Sequence, residues 1–433
     1  MQVTIKTISD VEQEADIEVV QDELQPHFER AYEDYRPKAE IKGFRKGRVP
    51  ILMVKKLYGQ AIEHEALDDI AGLLFKQVME ERRIDPMGRP SITGMDFKRG
   101  ERLTFTVKYE IRPEVQLKRY KGLDIVKYVH PVHEQEAAEE IDRLRRINST
   151  AEPAEKVLDD GYAVTADVQE LDQTGSPLIG RKTPNVRFHL IDPDIAQEIK
   201  DALKDAETGN AYRARLTSQH GDHAHSSDLS IAVTKIEKVT LPPFDDALAQ
   251  KVTKGKVSTA EELQQNIRRD LEQYWNDLSS RRLNDDLASE VVKEHEFSVP
   301  GSLVTGFLDA MVDDVRDRSR DRKLPQGFDE EKFRSENRAS AIWQAKWMLL
   351  KDKIAEAEGL TVTAEDMEKA AERDAATLPI DKERLVAHYK TSESARDRLL
   401  TEKVMAFLQD KARITQKTDA TLKDQSAKEI TAP

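Results

Sequence analysis

The chain has 433 residues, 38% hydrophobic and 35% charged, with 68 Lys and Arg against 82 Asp and Glu for a net charge of −14. At roughly 150 residues per domain the length suggests about three domains, and a charged content above the usual ~25% suits an elongated, helix-rich molecule better than one globule. The acidic balance excludes nonspecific nucleic-acid binding by the bulk surface, the lack of cysteine excludes disulfides, thiolate metal sites and cysteine nucleophiles, and no apolar run approaches the ~18 residues of a membrane span. The start, MQVTIKTISD, has neither a basic n-region nor an apolar h-region, so a soluble cytoplasmic protein is expected.

Residues 1–112 read as an α+β domain. Met1–Ile8 and Glu14–Val20 are strand-like, and Asp22–Ala39 is helical, with Leu24, Phe28, Ala31 and Tyr35 on one face. Pro50 suits the first position of a second helix and Gly59 its end. Gln60–Arg83 then reads as one long helix, and the strict alternation of Leu103, Phe105, Val107, Tyr109 and Ile111 as a strand. Residues 113–150 form a connector with a strand over Leu123–Tyr128 and a charged helix over Val132–Arg146.

Residues 151–240 alternate in four places, around Val164–Val168, Val186–Leu190, Tyr212–Leu216 and Leu229–Val233. One helix carries Ile195, Ile199 and Leu203, with Asp192 as its start signal, so this is a small antiparallel sheet with one helix. Residues 241–414 are nearly all helix. Ser258-Thr259-Ala260-Glu261 reads as a capping box, and the step of five between Leu278 and Leu283 argues against a continuous coiled coil. Pro300 opens another helix, Glu330–Glu358 is a long one, and Thr363-Ala364-Glu365-Asp366 is a weaker cap. Residues 415–433 read as a polar, disordered tail.

The sharpest local signal is Gly43-Phe44-Arg45-Lys46-Gly47-Arg48-Val49-Pro50. From Ile41 to Lys56 there are six basic residues and no acid, a reversal of the chain's overall sign. The two glycines permit a tight turn that would present Phe44, Arg45 and Lys46 at an exposed tip. An aromatic beside cations can stack on or neutralise phosphate, or dock on an acidic protein surface; a solvated loop with Phe44 tucked inward is the plainer outcome.

Gly-Phe-Arg-x-Gly-Arg-x-Pro between two helices of an N-terminal α+β domain resembles the ribosome-docking signature of bacterial trigger factors. Arg112-Pro113-Glu114-Val115 resembles that family's exit from its first domain, and Phe297-Ser298-Val299-Pro300 its turn between two arm helices. The order of parts is similar along nearly the whole chain. The resemblance implies a ribosome-binding α+β domain (1–112), a connector (113–150), an FKBP-like prolyl isomerase-type domain (151–240), an elongated helical chaperone domain with arms (241–414) and the tail. It implies an ATP-independent chaperone that holds nascent chains, whose partners are exit-site proteins and rRNA of the large ribosomal subunit and unfolded polypeptides. No membrane partner and no cofactor are implied; protein transport, cell division and a homodimer of the free protein belong to the same expectation. Gly43, Phe44, Arg45, Lys46, Gly47 and Arg48 would make the ribosome contact.

The middle domain departs from the family pattern. An FKBP-like site needs an apolar, aromatic-walled pocket that desolvates a prolyl amide whose rotation barrier is ~18–20 kcal/mol. Where family members carry Asp-Phe-Thr-Gly, this chain has Asp167-Val168-Gln169-Glu170, and the approach to the helix is Leu190-Ile191-Asp192-Pro193-Asp194-Ile195. Val168, Phe188, Ile195 and Tyr212 mark the vestige of that pocket, so no convincing catalytic residue remains and isomerase activity is expected to be weak or absent. An active prolyl isomerase, and a helical scaffold, are the alternative functions. Apolar arm residues that do not finish a core would hold clients: the candidates are Phe307, Leu308, Met311, Trp343, Trp347, Met348, Met405 and Phe407, though helix packing must claim most of them. His220, Asp222, His223 and His225 read as a polar loop and not as a metal site.

Overall fold

The computed structural model describes residues 1–418 apart from 43, 46, 47, 173, 221, 222 and 320, with the backbone alone for 217–220, 223–226 and 377. The chain folds as two units, Met1–Lys127 with Arg282–Thr415, and Tyr128–Arg281 with the residues from Gln416 on.

In the first unit an antiparallel sheet has the order β1-β2-β4-β3, from β1 (Gln2–Ser9), β2 (Glu12–Val20), β3 (Met87–Lys98) and β4 (Arg102–Glu110). On β4 alternate residues are buried, Leu103, Phe105, Val107 and Tyr109 facing the core, as half-buried strands require. Against that face pack α1 (Gln21–Tyr35), α2 (Ile51–Glu65) and α3 (Leu67–Arg82) through Leu24, Phe28, Val54, Ile62, Leu74 and Val78.

Three sequence expectations are corrected here. The first helix stops at Tyr35 and not Ala39, because Pro37 disfavours helical backbone in the residue before it. Gly59 lies inside α2 and does not end it: a Cβ there would come within 3.4 Å of the Arg99 guanidinium, which reaches past it to Glu63. The long helix expected over Gln60–Arg83 is two helices broken at Ala66, the second opening on Asp68 and Asp69, acids that favour a helix N-terminus. Strand β3 went unread because register shifts near Ser91 and Ile92 interrupt its alternation.

The C-terminal part of this unit holds α8 (Gly301–Asp317), α9 (Glu330–Glu358), α10 (Ala364–Thr377), α11 (Lys382–Thr391) and α12 (Glu393–Lys411). Thr363 caps α10 with a full capping box to Asp366. Residues 415–418, expected as tail, are strand: β11 (Arg413–Thr418) pairs with β5 (Asp124–Val129), and the rest of the expected tail, 419–433, lies outside the described residues.

In the second unit β6 (Thr150–Ala154), β7 (Tyr162–Leu171), β8 (Pro177–His189), β9 (Ala211–His220) and β10 (His223–Thr240) form a sheet of order β6-β10-β7-β8, β9 adding to β10. It carries α5 (Gln197–Leu203), which begins after Ala196 and not at Asp192. Helices α4 (Glu134–Ile147) and α6 (Asp246–Thr253) pack with the first half of α7 (Ala260–Glu294). The α7 cap sits one residue later than expected: Glu262 N donates to Thr259 Oγ1 at 3.2 Å and Ser258 N to Glu262 Oε2 at 3.2 Å.

Candidate functional site

The basic loop hangs between two anchors. Ala39 and Val49 are fully buried in the first core, with Ile41 and Ile51 packed beside them, so the chain must leave the core after Ile41 and return by Val49. Tyr58 on α2 donates its hydroxyl to Glu40 O at 3.0 Å and packs on Tyr35, which fixes the loop's base. Between the anchors Lys42, Phe44, Arg45 and Arg48 are exposed, Phe44 by 43%. Turns closed by Phe44 N to Ile41 O (3.0 Å) and Arg48 N to Arg45 O (2.9 Å) shape the excursion. Gly43, Lys46 and Gly47 lie outside the described residues.

What these cations do not touch defines the site. Among the described residues, Lys42, Arg45, Arg48 and Lys56 form no ion pair, whereas Lys55 on the same helix pairs with Glu29 and lies over the Tyr32 ring. Deeper in the domain Glu63 is buried, takes two hydrogen bonds from Arg99 at 2.6 and 3.0 Å and accepts from the Tyr32 hydroxyl; burial and that carboxylate push the Tyr32 phenol up. Glu63 is thus satisfied inside the domain, whereas Lys42, Arg45 and Arg48 on the loop have no ion-pair partner among the described residues.

In the middle sheet the four vestigial positions belong to one core. Val168 and Tyr212 flank Ile231 on neighbouring strands, Phe188 stands opposite Val164, and Ile195 packs on the same cluster. The Tyr212 oxygen accepts from Glu207 N at 2.8 Å. Asp167 accepts from Asn185 N at 3.1 Å and pairs with Lys182 at 2.9 Å, which holds its carboxyl below the ordinary range. Gln169 donates to the carbonyls of Glu170, Leu178 and Arg181, stapling the β7–β8 hairpin. His220 and His223 pair backbone to backbone where β9 ends and β10 begins, and Asp222 lies outside the described residues. Among the described residues no three His, Asp or Glu side chains are grouped to hold a metal ion.

On the arms, Leu308 and Met405 are interior. Phe307 and Met311 are half-buried beside the Val304–Leu308–Ala341–Ala345 cluster. Trp343, Trp347, Met348 and Phe407 are half-buried against a larger one that includes Leu350, Ile354 and Val404. None of the eight candidates is fully exposed. Apolar surface that sequence reasoning missed includes Leu378 and Ile380, exposed by 45% and 43%. They flank a cavity of about 550 Å³ that reaches Leu385, Tyr389 and Arg398. The short Leu378-Pro379-Ile380 run between two helices was its only signal.

No helix among the described residues is long and apolar enough to cross a membrane. The family model for bacterial trigger factor protein matches residues 1–144, and that for the trigger factor C-terminus matches 259–410. The trigger factor of Salinibacter ruber is 29% identical over 440 aligned residues, covering 96% of this chain and 95% of that protein. That of Prosthecochloris aestuarii is 29% identical over 419, covering 96% and 97%. A solved structure of a trigger factor chaperone shares the fold, with a TM-score of 0.50 at 20% identity over 95% of this chain and 99% of that one. With both ends of the chain matched and its relatives covered almost completely, the chain belongs to the bacterial trigger factor family.

Proposed function

We propose that this trigger factor is an ATP-independent, cytoplasmic chaperone that docks on the large ribosomal subunit near the peptide exit and holds nascent chains on its helical arms. The observation that carries the reading is the loop of residues 42–48. The flanking Ala39 and Val49 are buried, its aromatic is exposed, and Lys42, Arg45 and Arg48 have no ion-pair partner among the described residues. A loop built this way contributes little to its own fold and much to a surface of opposite sign. The half-buried Phe307 and Met311 and the exposed Leu378 and Ile380 support the holding role, because apolar surface left outside a core marks contact with apolar partners. In this reading residues 1–112 dock, 113–150 connect, 151–240 form the isomerase-type sheet and 241–414 form the helical arms. The middle sheet keeps a prolyl isomerase-type scaffold with its pocket positions given over to packing.

The test is cosedimentation with empty ribosomes. Replacing Phe44, Arg45 and Lys46 by alanine abolishes binding while the melting temperature stays nearly unchanged, since exposed substitutions usually stay within about 0.5 kcal/mol each. Native binding weakens as salt rises, each phosphate neutralised adding roughly 0.7–0.9 to the slope of log K against log salt. Full binding by the triple variant, or binding indifferent to salt, overturns the docking assignment.

A further inference from the structure

We propose that Glu110 is a latch that fastens the N-terminal sheet to the first arm helix, and that this polar joint holds docking domain and arm pair in one arrangement. Helix α8 begins at Gly301 with its first N–H groups in need of acceptors, as every helix does. Its own sequence supplies none: Pro300 at the N-cap offers no side-chain acceptor, and the first turn contains no acid. Both deficits are met from the last residue of β4. Glu110 Oε1 accepts from Gly301 N at 2.9 Å, Oε2 accepts from Ser302 N at 2.9 Å, and the Ser302 hydroxyl donates to the same oxygen. The carboxylate also faces the positive end of the helix dipole.

The surroundings are cut to fit this contact. A side chain at Gly301 would place its Cβ 3.1 Å from Glu110 Oε1, and a Cβ on Gly88 would collide with the Cβ of Ser302. Gly88 also takes a φ of +68°, which L side chains rarely adopt. It follows Met87, the residue opposite Glu110 across β3 and β4. A second tie runs from Arg112 to Asp352 on α9 at 3.2 Å. Among the described residues no apolar cluster spans the joint: the core around Phe28 and Tyr109 closes on residues up to Ile111, and the arm residues Val299, Leu303, Val304 and Leu308 pack only with the connector from Val115 onward and with one another's helices. Polar joints between parts of a chain resemble transient interfaces, for which relative motion is the default. Losing the Glu110 hydrogen bonds therefore leaves both cores intact and the joint held only by the Arg112–Asp352 pair, so the arrangement of sheet and arm depends mainly on this carboxylate.

The chain has no cysteine, so spin labels on Leu73→Cys in α3 and Ala310→Cys in α8 report the joint in the full-length protein. The native chain gives one narrow distance distribution. Glu110→Ala broadens it and speeds amide exchange at Gly301 and Ser302 roughly tenfold, the scale of a lost helix cap. Gly88→Ala, which leaves Glu110 in place, broadens it too, and adding Ser302→Gly to Gly88→Ala narrows it again. A distribution already broad in the native chain overturns the latch, as do unchanged distances and exchange in both Glu110→Ala and Gly88→Ala. Neither readout uses ribosomes or client, so failure here is separate from failure of the docking assignment.

Discussion

The loop of residues 42–48 and the middle sheet are opposite uses of residues that sequence motifs single out. Phe44 is an aromatic that the domain leaves outside although its neighbours Ile41 and Val49 are packed. Phe188 and Tyr212 are aromatics drawn into a core, one beside Val164 and the other beside Ile231. The same division runs through the charges. Arg45 and Arg48 have no partner among the described residues, whereas Arg99 closes on Glu63 and Lys403 on Asp366. A side chain already satisfied within the fold acts on stability, and one left unsatisfied at a well-anchored position acts on a partner. Substitutions should therefore sort by what the native side chain touches and not by the motif it came from.

The largest effect expected on stability is at the centre of the middle sheet. Ile231 is fully buried between Val168 and Tyr212, so Ile231→Ala should cost about 2–5 kcal/mol, the range for emptying a packed aliphatic site. Denaturant unfolding followed in the second unit measures it, and cosedimentation with ribosomes should be unaffected. A loss below about 1 kcal/mol would mean that the sheet holds a loose pocket and not a core, and the contrast with the loop would fail.

A smaller effect tests the paired charges. Asp366 accepts from Thr363 N at 2.8 Å and pairs with Lys403 at 2.6 Å; the Lys403 ammonium and the cap hold its carboxyl down to about 2, below the ordinary 3.8. Its folded value lies below its unfolded one, so the stabilisation is present above about pH 4 and is lost as the pH falls toward 2. The side chain is still 28% exposed, which screens the pair to on the order of 1 kcal/mol. Asp366→Asn should lower stability by that amount at pH 7 and by almost nothing at pH 2. Equal losses at both pH values would assign the effect to the cap geometry and not the charge.

Much of this was legible in the chain, and the remainder was hidden for physical reasons. The alternation of β4, the bounds of α9 and the Thr363 cap follow from local pattern, which neighbouring residues alone decide. The α2–α3 break at Ala66 and the irregular β3 depend on how the elements pack, so no local residue announced them. The loop stood out because six cations without an acid on an acidic chain are a local signal. The arm surface did not: a helical stripe looks alike whether it packs or waits for a client, so Leu308 and Met405 turn inward while the exposed Leu378 and Ile380 carried only a three-residue hint. Glu110 was silent for the same reason, since its partners lie about 190 residues away.

The smallest effect expected bears most directly on catalysis. Tyr212 packs beside Ile231 with its oxygen accepting from Glu207 N, a group at the exposed rim that water can also satisfy. Tyr212→Phe should therefore cost only about 0.5 kcal/mol, the low end for a lost hydrogen bond. Catalysis of prolyl rotation requires an apolar recess that strips water from the amide and fixed groups that meet the twisted form. The row Val168–Ile231–Tyr212 is packed against its own sheet core, and the Asp167 carboxylate is held by Lys182 and Asn185 N, which leaves it poorly placed to meet a substrate. Rates of cis-to-trans conversion of a short Phe-Pro peptide should thus lie close to the uncatalysed rate for the native protein and for Tyr212→Phe alike. A native rate like that of an ordinary FKBP, cut tenfold or more by removing this one hydroxyl, would show that Tyr212 meets substrate and that the sheet keeps a working pocket.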